Sequence, residues 1–114
     1  MPTTTATRTV VRGQDFVWTF TLEGSGSIAS SVNVANIRRR GSPQVLLAAH
    51  SLAIADAANR QVTLTLTPTE SLKLAGDPND PTKEIEHVLD VKSTSAGGVI
   101  TPFGPLVFNA RTMA

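Results

Sequence analysis

Residues 61–76 read QVTLTLTPTESLKLAG, a strand that runs straight into a capped helical turn. Val62, Leu64 and Leu66 alternate with Thr63, Thr65 and Thr67, the period-2 pattern of a half-buried strand. Thr67-Pro68-Thr69-Glu70 then has the form of a capping box. Thr67 serves as N-cap, Pro68 suits the first helical position, and Glu70 reaches back to the free N–H groups. Gly76 is placed to end the turn, which predicts a short helix over Thr67–Leu74. A strand that breaks into one helical turn marks a crossover between two packed layers.

The rest of the chain reads outward from that segment as more strands. Arg8–Arg12 is a first strand, and Gly13-Gln14-Asp15 a turn. In Phe16–Leu22, Phe16, Trp18, Phe20 and Leu22 share one face, and Val17, Thr19 and Thr21 the other. Glu23–Ser31 is a polar loop, and Val32–Arg39 a third strand that runs into Arg38-Arg39-Arg40. Gln44–Ile54 is apolar and alanine-rich. It reads as one strand, or as two short ones with a kink near His50.

Asp77-Pro78-Asn79-Asp80-Pro81 is a stiff loop of turn residues. Ile85–Ser93 is a strand with Ile85, His87, Leu89 and Val91 in phase, followed by a Gly97-Gly98 turn. Val99–Thr101 and Gly104–Asn109 make the last strand, interrupted at Pro102, which implies an edge or a bulge. About seven short strands at this spacing predict an all-β, immunoglobulin-like β-sandwich with one short helical turn at the crossover. The expected core includes Phe16, Trp18, Phe20, Val62, Leu64, Leu66, Leu89 and Val91.

Composition agrees with one strand-rich domain. The chain has 114 residues, with 15 threonines and no cysteine. Branching at Cβ suits threonine and valine to a pleated surface. One domain over 1–114 is expected, with extended tails at both ends. Without cysteine there is no disulfide framework, thiol chemistry or cysteine-ligated zinc. The net charge of +1 gives no global field for nucleic acid or an anionic membrane. No apolar run approaches a membrane span, and the first residues lack a signal-peptide core, so synthesis inside a cell is expected.

No catalytic or cofactor constellation emerges. The two histidines, His50 and His87, form no ligand pair, and His87 falls in phase with Leu89, as a core residue would. Asp77, Asn79 and Asp80 lack the glycine and terminal glutamate of a calcium loop. Nucleophile elbows, P-loops and dinucleotide fingerprints are absent, so no enzyme, metal or cofactor is expected. Arginine is enriched at binding hot spots, and Arg38 and Arg40 share a strand face, which makes them interface candidates or a solvated sheet end. The tails, Met1–Thr7 and Arg111–Ala114, carry little apolar content and are expected to dock on a partner. Thr3, Thr5 and Arg111 are the candidates there.

The order of motifs resembles the small immunoglobulin-like domains of tailed-phage virions, those found at the N-terminus of upper baseplate proteins and as stand-alone prophage proteins. The resemblance is carried by Arg12-Gly13-Gln14-Asp15-Phe16, the alternation from Trp18 to Leu22, Ile37-Arg38-Arg39-Arg40-Gly41-Ser42-Pro43, and Val62–Glu70. It closes with His87–Val91, the Gly97-Gly98 turn and Gly104–Phe108. It implies a non-enzymatic virion protein in the tail, baseplate or fibre-attachment region. Its partners would be other virion proteins and copies of itself, as a trimer or hexamer, with no nucleic acid and no membrane. A capsid decoration role is the alternative, and a carbohydrate-binding or host-adhesion module the alternative of another class. Phe103 is the one candidate aromatic platform for a sugar.

Overall fold

The computed structural model describes residues 8–112. The chain is all-β, with strands β1 (Thr9–Val11), β2 (Phe16–Thr21), β3 (Val32–Arg39), β4 (Val45–Asp56), β5 (Gln61–Leu66), β6 (Ile85–Thr94) and β7 (Ile100–Arg111). One four-residue helix, α1 (Pro68–Ser71), lies between β5 and β6. The strands form one mixed ladder in the order β1-β7-β6-β3-β4-β5-β2. Only the β1·β7 pair is parallel.

The long strand β4 is where the ladder folds over. Val45 to Leu52 pair with β3, whereas Ala53 to Asp56 pair with β5. The kink expected near His50 is present within a single strand. Ala49 has φ of +47°, and its N–H leaves the ladder to donate to Asn36 Oδ1 at 2.8 Å. A residue added to one strand in this way bends it and increases its twist. The sheet therefore curls until its two ends approach, as a nearly closed barrel.

The alternating residues fill the inside of the curl. Trp18, Leu22, Ala35, Ile37, Val62, Leu64, Leu66, Leu89, Val91 and Phe108 are all buried. Phe16 is half-buried, while its ring stacks on Phe108 at 6.2 Å. Trp18 lies 5.1 Å from Phe20 and meets Phe108 edge-on at 6.3 Å. The expected face assignments of β2, β5 and β6 therefore hold.

The capping box forms as its residues imply. Thr67 Oγ1 accepts from the Glu70 N–H at 3.2 Å, and Glu70 Oε1 accepts from the Thr67 N–H at 2.8 Å. Ser71 ties this turn to the start of the fold, because its Oγ accepts from the Gly13 N–H at 2.8 Å. Removing the Thr67 hydroxyl should cost about 1 kcal/mol. A denaturant titration of Thr67→Ala checks this, and a midpoint equal to the parent's would contradict it.

Three local expectations need correction. The helix ends at Ser71 and not at Leu74. Gly76 does not cap it, since its φ is not positive. A Cβ at Gly76 would collide with the Thr112 hydroxyl and press on the Arg12 side chain, so those side chains would have to shift to admit one. Pro102 does not interrupt β7, which is continuous from Ile100 to Arg111. Pro102 pairs with Lys92 in register, and the irregularity falls between Phe103 and Leu106. Proline is tolerated because this part of β7 has β6 on one side and no strand on the other.

Candidate functional site

Arg38 and Arg40 point to the outer face of β3, as their phase requires, but neither is a free cation. Arg38 Nε is 3.5 Å from Asp90 Oδ2, and its Nη1 donates to the Ser42 carbonyl at 3.4 Å. Arg40 Nη1 is 2.5 Å from Glu86 Oε2. Both acids come from β6, the neighbouring strand in the register that pairs Asn36 with Asp90. The outer face therefore carries a ladder of compensated charge. Exposed pairs of this kind contribute about 0–1 kcal/mol each. Arg39 falls on the other face, opposite His87, as its phase predicts.

Arg111 is not part of a tail. It ends β7, stands in register with Val11 and is half-buried. Its carbonyl accepts from the Arg12 N–H at 2.9 Å. Thr3 and Thr5, with the rest of residues 1–7 and with 113–114, lie outside the described residues.

His87 is a strut inside the fold, fully buried at 0 % exposure and stacked on Phe108 at 5.3 Å. Its Nε2 accepts from the Ala75 N–H at 2.9 Å, and its Nδ1–H donates to the Ile85 carbonyl at 2.8 Å. Those two bonds require the neutral Nδ1–H form. Burial holds its pKa below the ordinary 6.5, the Arg39 and Arg12 charges add to that, and the bond to Ile85 opposes it.

A depressed histidine pKa favours the fold above pH 6.5. Below that pH the unfolded chain takes up a proton that the folded chain refuses, so stability falls toward the lowered folded value. The thermal midpoint is therefore expected to decline as pH falls below about 6.5. His87→Gln, whose amide oxygen can still accept from Ala75, should remove the His87 share of that decline. Identical pH profiles for parent and variant would contradict the assignment.

The other polar candidates are held by local bonds. Asp77 Oδ1 accepts from the Asn79 and Asp80 N–H groups at 2.8 and 3.3 Å. Those bonds, with the Asn79 one foremost, lower its pKa. Among the described residues, no three His, Cys, Asp or Glu side chains stand together as metal ligands would. His50 Nε2 is 2.7 Å from the Thr65 carbonyl, and its Nδ1 is 3.4 Å from Glu70 Oε2.

Sequence reasoning does not single out Arg60, which ends the turn between β4 and β5. Its φ is +59°, and its guanidinium spans the mouth of the 22–26 loop. It donates from Nε to Leu22 (3.0 Å), from Nη1 to Ser25 (3.1 Å) and Gly26 (3.2 Å), and from Nη2 to Glu23 (3.0 Å), always to backbone carbonyls. Its Cζ also lies 5.7 Å from the centre of the Phe103 ring. Phe103 is accordingly half-buried beneath a cation instead of forming an open platform for a sugar. No short-range pattern announces an arginine of this kind, because its four acceptors lie 34 to 38 residues away.

Two surface features remain unpartnered among the described residues. One is an apolar end to the outer face of β3, β6 and β7. Val32 and Ile100 are 64 and 58 % exposed there and flank Thr94 in register, and Val99, in the turn before β7, is 65 % exposed beside them in the chain. The other is a groove of about 580 Å³ along the seam where the barrel fails to close. Thr19–Glu23 form one wall and Pro102–Leu106 the other. No protein-family model matches the chain, and no curated protein matches it.

Proposed function

We propose that this is an immunoglobulin-like domain acting as a non-enzymatic structural protein of a tailed-phage particle. It docks on other virion proteins in the tail, baseplate or fibre-attachment region. The observation that carries the reading is the strand order. β2, β5 and the end of β4 stand in the relation of strands B, E and D of an immunoglobulin-type domain. β3, β6 and β7 stand as C, F and G, while β1 lies parallel to the last strand. The capped turn α1 occupies the crossover from E to F. The motifs that resemble the phage domains fall on these same elements: Trp18–Leu22 on β2, Ile37–Pro43 at the end of β3, and Val62–Glu70 on β5 and α1.

The apolar end formed by Val32 and Ile100, with Val99 at its edge, is the docking surface on this reading. Two large side chains exposed side by side on the outer sheet face, with Val99 at its edge, favour contact with another protein. The ion-paired arginines Arg38 and Arg40 lie further along the same face and set orientation more than affinity. Tail and capsid symmetry repeats identical contacts, so the expected copy number is a multiple of three or six.

Quantitative mass spectrometry of purified virions tests the reading. The protein is expected in mature particles at such a ratio to the major capsid protein. Its recovery only in the lysate, with none in washed particles, would overturn the virion assignment.

A further inference from the structure

The seam groove is bounded by two strand edges of unequal capacity. On β2, the Leu22 N–H donates to the Arg60 carbonyl at 2.8 Å, and that pair continues the register in which Phe20 faces Val62. Antiparallel alternation then turns the N–H and C=O groups of Phe16, Trp18 and Phe20 toward β5. Those of Val17, Thr19 and Thr21 face the other way. Among the described residues no strand pairs with them, since β2 ends the ladder. Edge strands are ordinarily guarded by proline, lysine or a bulge. β7 has such guards beside the groove, where Pro102 and Pro105 bring no N–H and the pairing with β6 shifts register between Leu89 and Val91. β2 has none: Phe-Val-Trp-Thr-Phe-Thr lies in unbroken register on β5. Strand addition is thus supported by β2 and blunted on β7.

We propose that the free edge of β2 takes up an extended segment of another protein as an added antiparallel strand, apolar at alternate positions and basic at its ends. Residues opposite Thr19 and Thr21 would exchange both N–H···O bonds with them and turn their side chains to the outer face, beside the threonines. Residues opposite Phe20 and Leu22 would turn inward, onto a groove lined by Phe20, Leu22, Phe103 and Leu106, so these positions call for apolar side chains. Charge selects the kind of partner. Asp15 and Glu23 bracket β2, both are exposed, and no charged residue lies between them. A second copy fits poorly. Two β2 edges paired antiparallel about Thr19 would set Asp15 of each against Glu23 of the other, and parallel pairing would set each acid against itself. A strand with lysine or arginine at both ends meets acids instead. Arg60 binds the Glu23 carbonyl and offsets part of the charge at that end, which leaves Asp15 as the main anchor.

The probe is a nonapeptide, blocked at both ends, in which valine alternates with threonine between terminal lysines. Residue-resolved amide hydrogen exchange of the full chain is read as the peptide is added. The Thr19 and Thr21 amides are expected to exchange fast in the free chain and to slow by about tenfold or more at saturation, while Trp18 and Phe20, bonded to β5, keep their rates. The same peptide N-methylated on its threonines should bind about tenfold more weakly, because it leaves the Thr19 and Thr21 carbonyls unpaired. Glutamates in place of the lysines should weaken binding at low salt, by a margin that closes as salt is raised. Thr19→Pro removes an outward N–H and no bond to β5, so the variant should fold and fail to bind. Should it not fold, the N-methylated peptide tests the same contact on the parent chain. Equal binding of either altered peptide at low salt, or no response of the two amides at millimolar peptide, would overturn the proposal. So would slow exchange of both amides in the free monomer, because the chain would then cover its own edge. Protection that disappears on dilution as sedimentation shows a multimer dissociating would also overturn it, since the strand would then come from a second copy.

Discussion

Trp18→Ala should destabilise the domain by about 3–5 kcal/mol, the range for truncating a large buried aromatic. Trp18 is 2 % exposed and stands at the centre of the curl. It contacts Phe16, Phe20 and Phe108, which come from β2 itself and from the opposite wall. Alanine would remove the ring that bridges the two walls, and the strands around it are tied by ladders too rigid to collapse onto the space. A domain of this size has about 5–15 kcal/mol of stability in total, so the variant should lose much of its cooperative unfolding transition at moderate denaturant. The check is a pair of urea titrations read by circular dichroism. A variant with the parent's midpoint would show that Trp18 is not the centre of the core.

Arg60→Ala is expected to cost about 1.5–3 kcal/mol, the range for hydrogen bonds to a charged group. Ala keeps the same left-handed backbone cost at φ of +59°, so the comparison isolates the guanidinium. Three of its four acceptors, on Glu23, Ser25 and Gly26, are exposed and can rehydrate. The Leu22 carbonyl is partly buried, on a residue whose N–H already pairs with the Arg60 carbonyl, so loss of its bond weighs more. Arg60→Lys should recover little, because an ammonium cannot present the planar fork that four carbonyls share. The 22–26 loop should also become accessible to protease in both variants. Full recovery of stability by lysine would mean that charge, and not the fork, holds the loop.

The two predictions also mark how far local pattern reaches. Trp18 was legible because a strand alternates every second residue, and a run such as Phe16–Leu22 declares its inner face without any tertiary information. The same rule placed His87 in the core with Leu89 and Val91. The capping box was legible for a similar reason, since its donors and acceptors lie within four residues of each other. Arg60 was not legible. Its role depends on bringing residues 22–26 beside residue 60, and a turn-ending arginine looks the same whether or not that happens. The interface candidates were half legible. Alternation put Arg38 and Arg40 on one face, but only the β3·β6 register brought Asp90 and Glu86 alongside to neutralise them.

The chain by itself determined the all-β class, the strands and their inner faces, and the capped turn after β5, because all of these follow from spacing within a few residues. Only the tertiary structure decided how the strands join. Nothing local says that β4 serves two neighbours in succession, that β1 lies parallel to β7, or that the curl stops short of closure with a groove between β2 and β7. Those features depend on non-local pairing, where a kink at Ala49 and two prolines on one edge select among arrangements that the same alternation would equally allow.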